Sequence, residues 1–142
     1  MVGVIAALVS GALMSIQGVF NTDVTKQTSL WVSASFVQLT ALLVCLAAWL
    51  ICDRTSFRSL FEISDKYVLL GGVIGAFITA TVIWSMNGLG PAKAAMLIVI
   101  SQLTVAWLIE LAGIFGMEKQ PFSMRKLLGL LIAAAGVITF EL

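Results

Sequence analysis

The sequence predicts an all-α, integral membrane bundle of five transmembrane helices, and three observations lead there. Apolar runs of about 20 residues recur along the chain, each long enough to cross the ~30 Å hydrocarbon core of a bilayer as a helix. Of 142 residues, 61% are hydrophobic and only 11% charged, with a mean hydropathy of +1.10, far from the balance of a soluble domain. Short polar or Gly/Pro-marked segments punctuate the runs, so the length accommodates about five or six crossings in one domain spanning residues 1–142.

The first span covers residues 2–20. It lacks the charged leader and small-residue cleavage pattern of a secretion signal and is expected to stay in the mature protein. Residues 21–29 read as a polar turn. The second span, 30–51, is bracketed by Trp31 and Trp49, placed as an interfacial aromatic belt would be. Residues 52–66 hold Asp53, Arg54, Arg58, Glu62, Asp65 and Lys66 and read as a charged loop. The third span, 67–87, opens with Tyr67 and a run containing Gly71, Gly72 and Gly75. Asn87-Gly88-Leu89-Gly90-Pro91 then ends one helix and starts the next, since glycine suits a helix end and proline a first turn. The fourth span, 91–115, contains Gln102 and Glu110. A polar link with Pro121 leads to the fifth span, 125–141.

Several function classes fall away on composition. A net charge of +1 offers no basic surface for a nucleic-acid partner. Histidine is absent, which removes the commonest general base, proton shuttle and metal ligand. No metal site, cofactor or enzymatic activity is expected. Cys45 and Cys52 lie about 10 Å apart along one helix, too far to bond to each other, and read as apolar filler, with an intermolecular bridge as the alternative.

The polar residues inside the apolar spans are the candidate site. On a 100° wheel, Ser10, Met14, Gln17 and Asn21 share one face of the first helix, beside a strip of Gly11, Ser15 and Gly18. The small residues Gly11, Ser15, Gly18, Gly71 and Gly75 are read as helix-packing positions. For Gln17 and Asn21 two readings stand: hydrogen-bonding glue between helices, or a solute-facing stripe. On the second span Trp31, Ser35, Gln38, Cys45 and Trp49 share a face, read as packing. Gln102 and Glu110 are expensive to place against lipid and point to a bundle interior or wet cavity. Gln102 is a candidate hydrogen-bonding group for solute. Glu110 has two readings: a carboxyl that alternately holds a proton and a cationic solute, or an anchor paired with Arg125 or Lys126.

Basic residues set the expected orientation. The N-terminal side of the spans gathers Arg54, Arg58, Lys66, Lys119, Arg125 and Lys126, against Lys26 and Lys93 on the other. This bias predicts a cytoplasmic N-terminus and an external C-terminus at Leu142. An odd number of spans cannot comfortably hold two inverted halves, which a second chain inserted the other way up would supply. Depth arithmetic agrees. Gln17 lies ~8 Å and Trp84 ~10 Å from the midplane on one side, and Glu110 ~10 Å on the other. Inverting a second copy carries its Glu110 to the level of Gln17 and Trp84. The candidate substrate-binding set is therefore Gln17, Asn21, Trp84, Gln102 and Glu110.

Gly129-Leu-Leu-Ile-Ala-Ala-Ala-Gly136-Val-Ile, preceded by Gly116-Met-Glu118 and Pro121, resembles the closing helix of the drug/metabolite transporter superfamily. Leu89-Gly90-Pro91-Ala92-Lys-Ala94 is similar to the start of its preceding helix. The length, Gln17-Gly18-Val-Phe-Asn21, and Ser101-Gln102 followed by Glu110 resemble its small five-helix, YdcZ-type branch, and the resemblance covers nearly the whole chain. It implies a multi-pass protein of the bacterial inner membrane and export of a small organic solute or drug-like molecule. It further implies assembly as an antiparallel dimer, from one dual-topology protein or from paired subunits. Where an acidic residue followed by His-Phe is expected, this chain has Leu111-Ala112 after Glu110. The leading function is thus a secondary transporter, proton-coupled through Glu110. A passive channel and a non-transporting membrane assembly subunit are the alternatives.

Overall fold

A computed structural model describes residues 1–141; Leu142, expected above to be the external terminus, lies outside them. The described residues form helices and turns with no strand. Proline, glycine and serine at the segment edges set most helix boundaries. The main helices are α1 (Val2–Gln27), α2 (Leu30–Cys52), α4 (Gly71–Leu89), α5 (Pro91–Ala112) and α6 (Met124–Glu141), with a single turn, α3 (Ser59–Glu62), in the charged loop. The chain divides into two units, Met1–Asn87 and the remainder from Gly88.

Helix α1 corrects the expected polar turn at 21–29. It runs on to Gln27 because its polar side chains find partners along the helix itself. Thr25 donates to the Asn21 carbonyl at 2.8 Å, Thr28 to Val24 at 2.7 Å, and the Gln27 amide to Asp23 at 3.2 Å. Nothing in this stretch forces a break until Thr28 and Ser29. The Ser29 side chain then caps α2, accepting from the Val32 amide at 3.3 Å. Two further boundaries shift. The third span begins as a 3-10 turn over Lys66–Leu70 before α4. The fourth ends at Ala112 rather than 115, because Gly113 adopts φ +64° and its amide caps onto the Ile109 carbonyl.

The first unit has a small core where α1, α2 and α4 meet. Gly18, Asn21 and Thr22 are buried from α1, Ser33 and Ala34 from α2, and Ala80, Ile83 and Met86 from α4. Gly18 lets α4 come close: a Cβ would sit 2.4 Å from the Met86 Cε, at the flexible end of that side chain. Ser33 Oγ donates to the Asn21 carbonyl at 3.0 Å, a buried bond tying α2 to α1. Of the other expected packing positions, Gly75 approaches the Gln38 amide (3.9 Å to a built Cβ), whereas nothing lies within 4 Å of a Cβ at Gly11 or Gly71. Ser15 is exposed. These three sit on outward-turned helix faces, so packing there is absent among the described residues.

Most large apolar side chains point outward, including Leu8, Phe77 and Ile132, as they do on a surface solvated by lipid and not on one facing water. Four helical stretches are long and apolar enough to cross a membrane: Val2–Gln27, Leu30–Cys52, Lys66–Leu89 and Pro91–Ala112. Helix α6, expected as the fifth, carries Arg125 and Lys126 at its start and Glu141 at its end. The uncharged stretch between them is roughly 14 residues, ~21 Å of helix.

Candidate functional site

In the first unit, the α1 face drawn by the wheel opens onto two hollows. A groove of about 750 Å³ runs along α1 beside Ser10, Met14, Gln17 and Asn21. A second, of about 530 Å³, lies between α1 and α2, bordered by Gln17 and Asn21 on one side and Ser33, Thr40 and Cys45 on the other. Gln17 and Asn21 border both, and their surroundings differ. Gln17 is exposed, whereas Asn21 is only 7% exposed. The Asn21 backbone carbonyl takes hydroxyl hydrogen bonds from Thr25 and Ser33. Its side-chain amide makes no hydrogen bond among the described residues and faces the grooves. The amide is not among the buried unpaired polar atoms, so it is open to the grooves, where it can make up to four hydrogen bonds.

Trp84, grouped with these two by depth, lies on α4 at 72% exposure and borders neither groove. The structure brings Gln17 and Asn21 together and leaves Trp84 on the outer surface.

In the second unit, Glu110 stands near the end of α5 and Lys126 near the start of α6. Their side chains form an ion pair at 2.6 Å, with Glu110 37% and Lys126 49% exposed. The pairing follows from local geometry. Once Gly113 ends α5, the link folds back so that the Gln120 amide donates to the Glu110 carbonyl at 2.8 Å, and α6 starts alongside. The anchor reading of Glu110 named Arg125 or Lys126; Lys126 is the partner. The pair stands between two hollows. One, of about 330 Å³, is walled by Leu103, Ala106, Trp107, Gly129 and Leu130. The other, of about 420 Å³, lies toward the link beside Gly116, Glu118 and Gln120. Gln102 is exposed on α5 and borders neither.

Sequence reasoning missed two residues here. The Trp107 ring packs against Phe122 at 5.6 Å, and its indole N–H is buried without a partner; in the first unit the Thr22 hydroxyl is likewise buried and unpaired. Trp107 falls one turn before Glu110 on α5, a spacing that could have flagged it. Nothing in the sequence singles out Thr22 from the other threonines. No group of three metal-ligating side chains is assembled among the described residues.

Four helical stretches long and apolar enough to cross a membrane mark a polytopic membrane protein. The sequence profile of the DMT_YdcZ family, described as "Putative inner membrane exporter, YdcZ", matches residues 2–139, and the chain belongs to that family. No curated protein and no solved structure matches it.

Proposed function

We propose that this chain is a secondary transporter that exports a small organic solute across the bacterial inner membrane, with Asn21 and Gln17 meeting the solute. The observation that carries this reading is Asn21, a nearly buried residue whose amide makes no hydrogen bond among the described residues and lines two grooves. A scaffold whose polar groups merely glue helices would have that amide bonded to a neighbouring helix. Membership of an exporter family supports the same reading.

In this proposal α6 is the fifth crossing. Its full 18 residues rise ~27 Å, and Arg125 and Lys126 reach the interface by extending their stems. Five crossings with the observed bias of basic residues put the N-terminus in the cytoplasm. A second subunit in inverted orientation completes the pair of opposed halves that alternating access uses. Trp84 and Gln102, both exposed in the single chain, then face that partner or lipid.

Glu110 keeps two readings. As the coupling residue, it releases Lys126 during the cycle and takes a proton or a cationic solute instead. As an anchor, it fixes the end of α5 to the start of α6, which the 2.6 Å ion pair favours. Glu110→Gln separates them. Loss of pH-gradient dependence with intact stability indicates coupling; lowered stability with unchanged gradient dependence indicates an anchor. Counterflow of labelled solute in proteoliposomes tests transport itself, and its absence across a broad solute panel points to the assembly-subunit alternative.

A further inference from the structure

We infer that the hollow between α5 and α6 is a binding site for an apolar zwitterion of the α-amino-acid type, with ammonium and carboxylate on one carbon. The inference concerns the second unit alone; it shares Glu110 with the coupling reading but does not depend on Asn21 or Gln17. The site can bind such a molecule whether or not that molecule is the exported solute.

The 330 Å³ hollow sits at the small end of ligand-pocket sizes. Its walls are apolar, and Trp107 offers an aromatic surface for a nonpolar body. Its charged groups are Glu110 and Lys126, already neutralising each other at 2.6 Å. That arrangement selects the ligand. A purely cationic ligand that captures Glu110 strands Lys126, and an anionic one that captures Lys126 strands Glu110. Each leaves one member of this half-exposed pair without its counter-ion beside the apolar walls. A zwitterion replaces one ion pair by two, its carboxylate to Lys126 and its ammonium to Glu110, with no net charge added. Because the two protein groups are in direct contact, the ligand's charges must also lie close together. The second hollow meets the same pair from the side of the link, so a polar route reaches the charged end while the nonpolar body lodges beyond it.

The test is equilibrium binding of labelled phenylalanine to the purified full-length protein in detergent. N-acetylphenylalanine, which lacks the cation, and phenylalanine methyl ester, which lacks the anion, serve as competitors. Saturable binding is expected, with each single-charge analogue at least ten-fold weaker than unlabelled phenylalanine. Gly129→Leu fills the hollow where a Cβ meets nothing within 4 Å. It is expected to abolish binding while the variant keeps its helical content. The inference is overturned by an absence of saturable binding, by analogues that compete as well as phenylalanine, or by undiminished binding to folded Gly129→Leu. The competitor series needs no variant, so it decides even if that substitution misfolds. Transport of some other solute by a protein that fails this test would leave the transport reading standing and remove only this one.

Discussion

Asn21 performs two tasks with different atoms, and the separation makes it a clean target. Its backbone carbonyl receives the Thr25 and Ser33 hydroxyls, while its side chain lines the grooves, so replacing the side chain leaves both bonds in place. The neighbouring hydroxyls predict opposite outcomes. Ser33→Ala removes a buried bond between α1 and α2 and should lower stability by about 0.6 kcal/mol, the usual worth of an interhelical hydrogen bond in a membrane protein. Thr22→Val removes a buried hydroxyl that has no partner while keeping the branched shape. It should leave stability unchanged or raise it. Denaturation in detergent micelles followed by far-ultraviolet circular dichroism measures both, and a Thr22→Val loss larger than that of Ser33→Ala would contradict the assignment.

Two glycines set limits on the elements, for different reasons. Gly18 lets α4 approach α1, but the atoms that crowd it are the far end of the flexible Met86 side chain. Gly18→Ala should therefore cost only about 1 kcal/mol as the thioether moves aside. Gly113 has φ +64°, and a Cβ would lie 2.8 Å from the Lys119 Cβ and 3.1 Å from its Cα. Strain and backbone crowding add there, so Gly113→Ala should cost on the order of 2–4 kcal/mol. It should also loosen the turn that brings Lys126 to Glu110. Equal losses from the two substitutions, in the same denaturation assay, would contradict this ranking.

The helices themselves were legible in the sequence because apolar run length and Gly/Pro punctuation report on them directly. Their ends were less so. Residues 21–27 read as a turn from polarity alone, yet Thr25 and Gln27 bond back one helical turn, a local solution that composition does not reveal. Gln17 and Asn21 could be placed on one face from periodicity, and the structure puts them on shared grooves. Trp84 was grouped with them by depth alone, which says nothing about the direction around the helix in which a side chain points. The Glu110–Lys126 pair depended on how the link after Gly113 folds back, and no periodic pattern encodes that.

For the whole molecule, the unequal distribution of basic residues makes orientation testable. With Cys45 and Cys52 replaced by Ala, single cysteines at Ser59, in α3, and at Thr28, between α1 and α2, report opposite sides of the membrane. A fixed cytoplasmic N-terminus predicts that an impermeant thiol reagent labels the Thr28 position in intact cells and spares the Ser59 position. Equal labelling of both means insertion in both orientations and contradicts the fixed one, while remaining compatible with an inverted homodimer.

The most direct measurement is gradient-driven accumulation in proteoliposomes, with labelled phenylalanine and labelled tetraphenylphosphonium as zwitterionic and cationic probes. Wild-type protein and Asn21→Leu are compared under an imposed pH gradient, the variant's fold checked by its circular dichroism. If Asn21 meets solute during transport, wild-type protein accumulates at least one probe above empty liposomes and Asn21→Leu loses that accumulation while keeping its helices. No accumulation of either probe by wild-type protein, or undiminished accumulation by Asn21→Leu, contradicts the account.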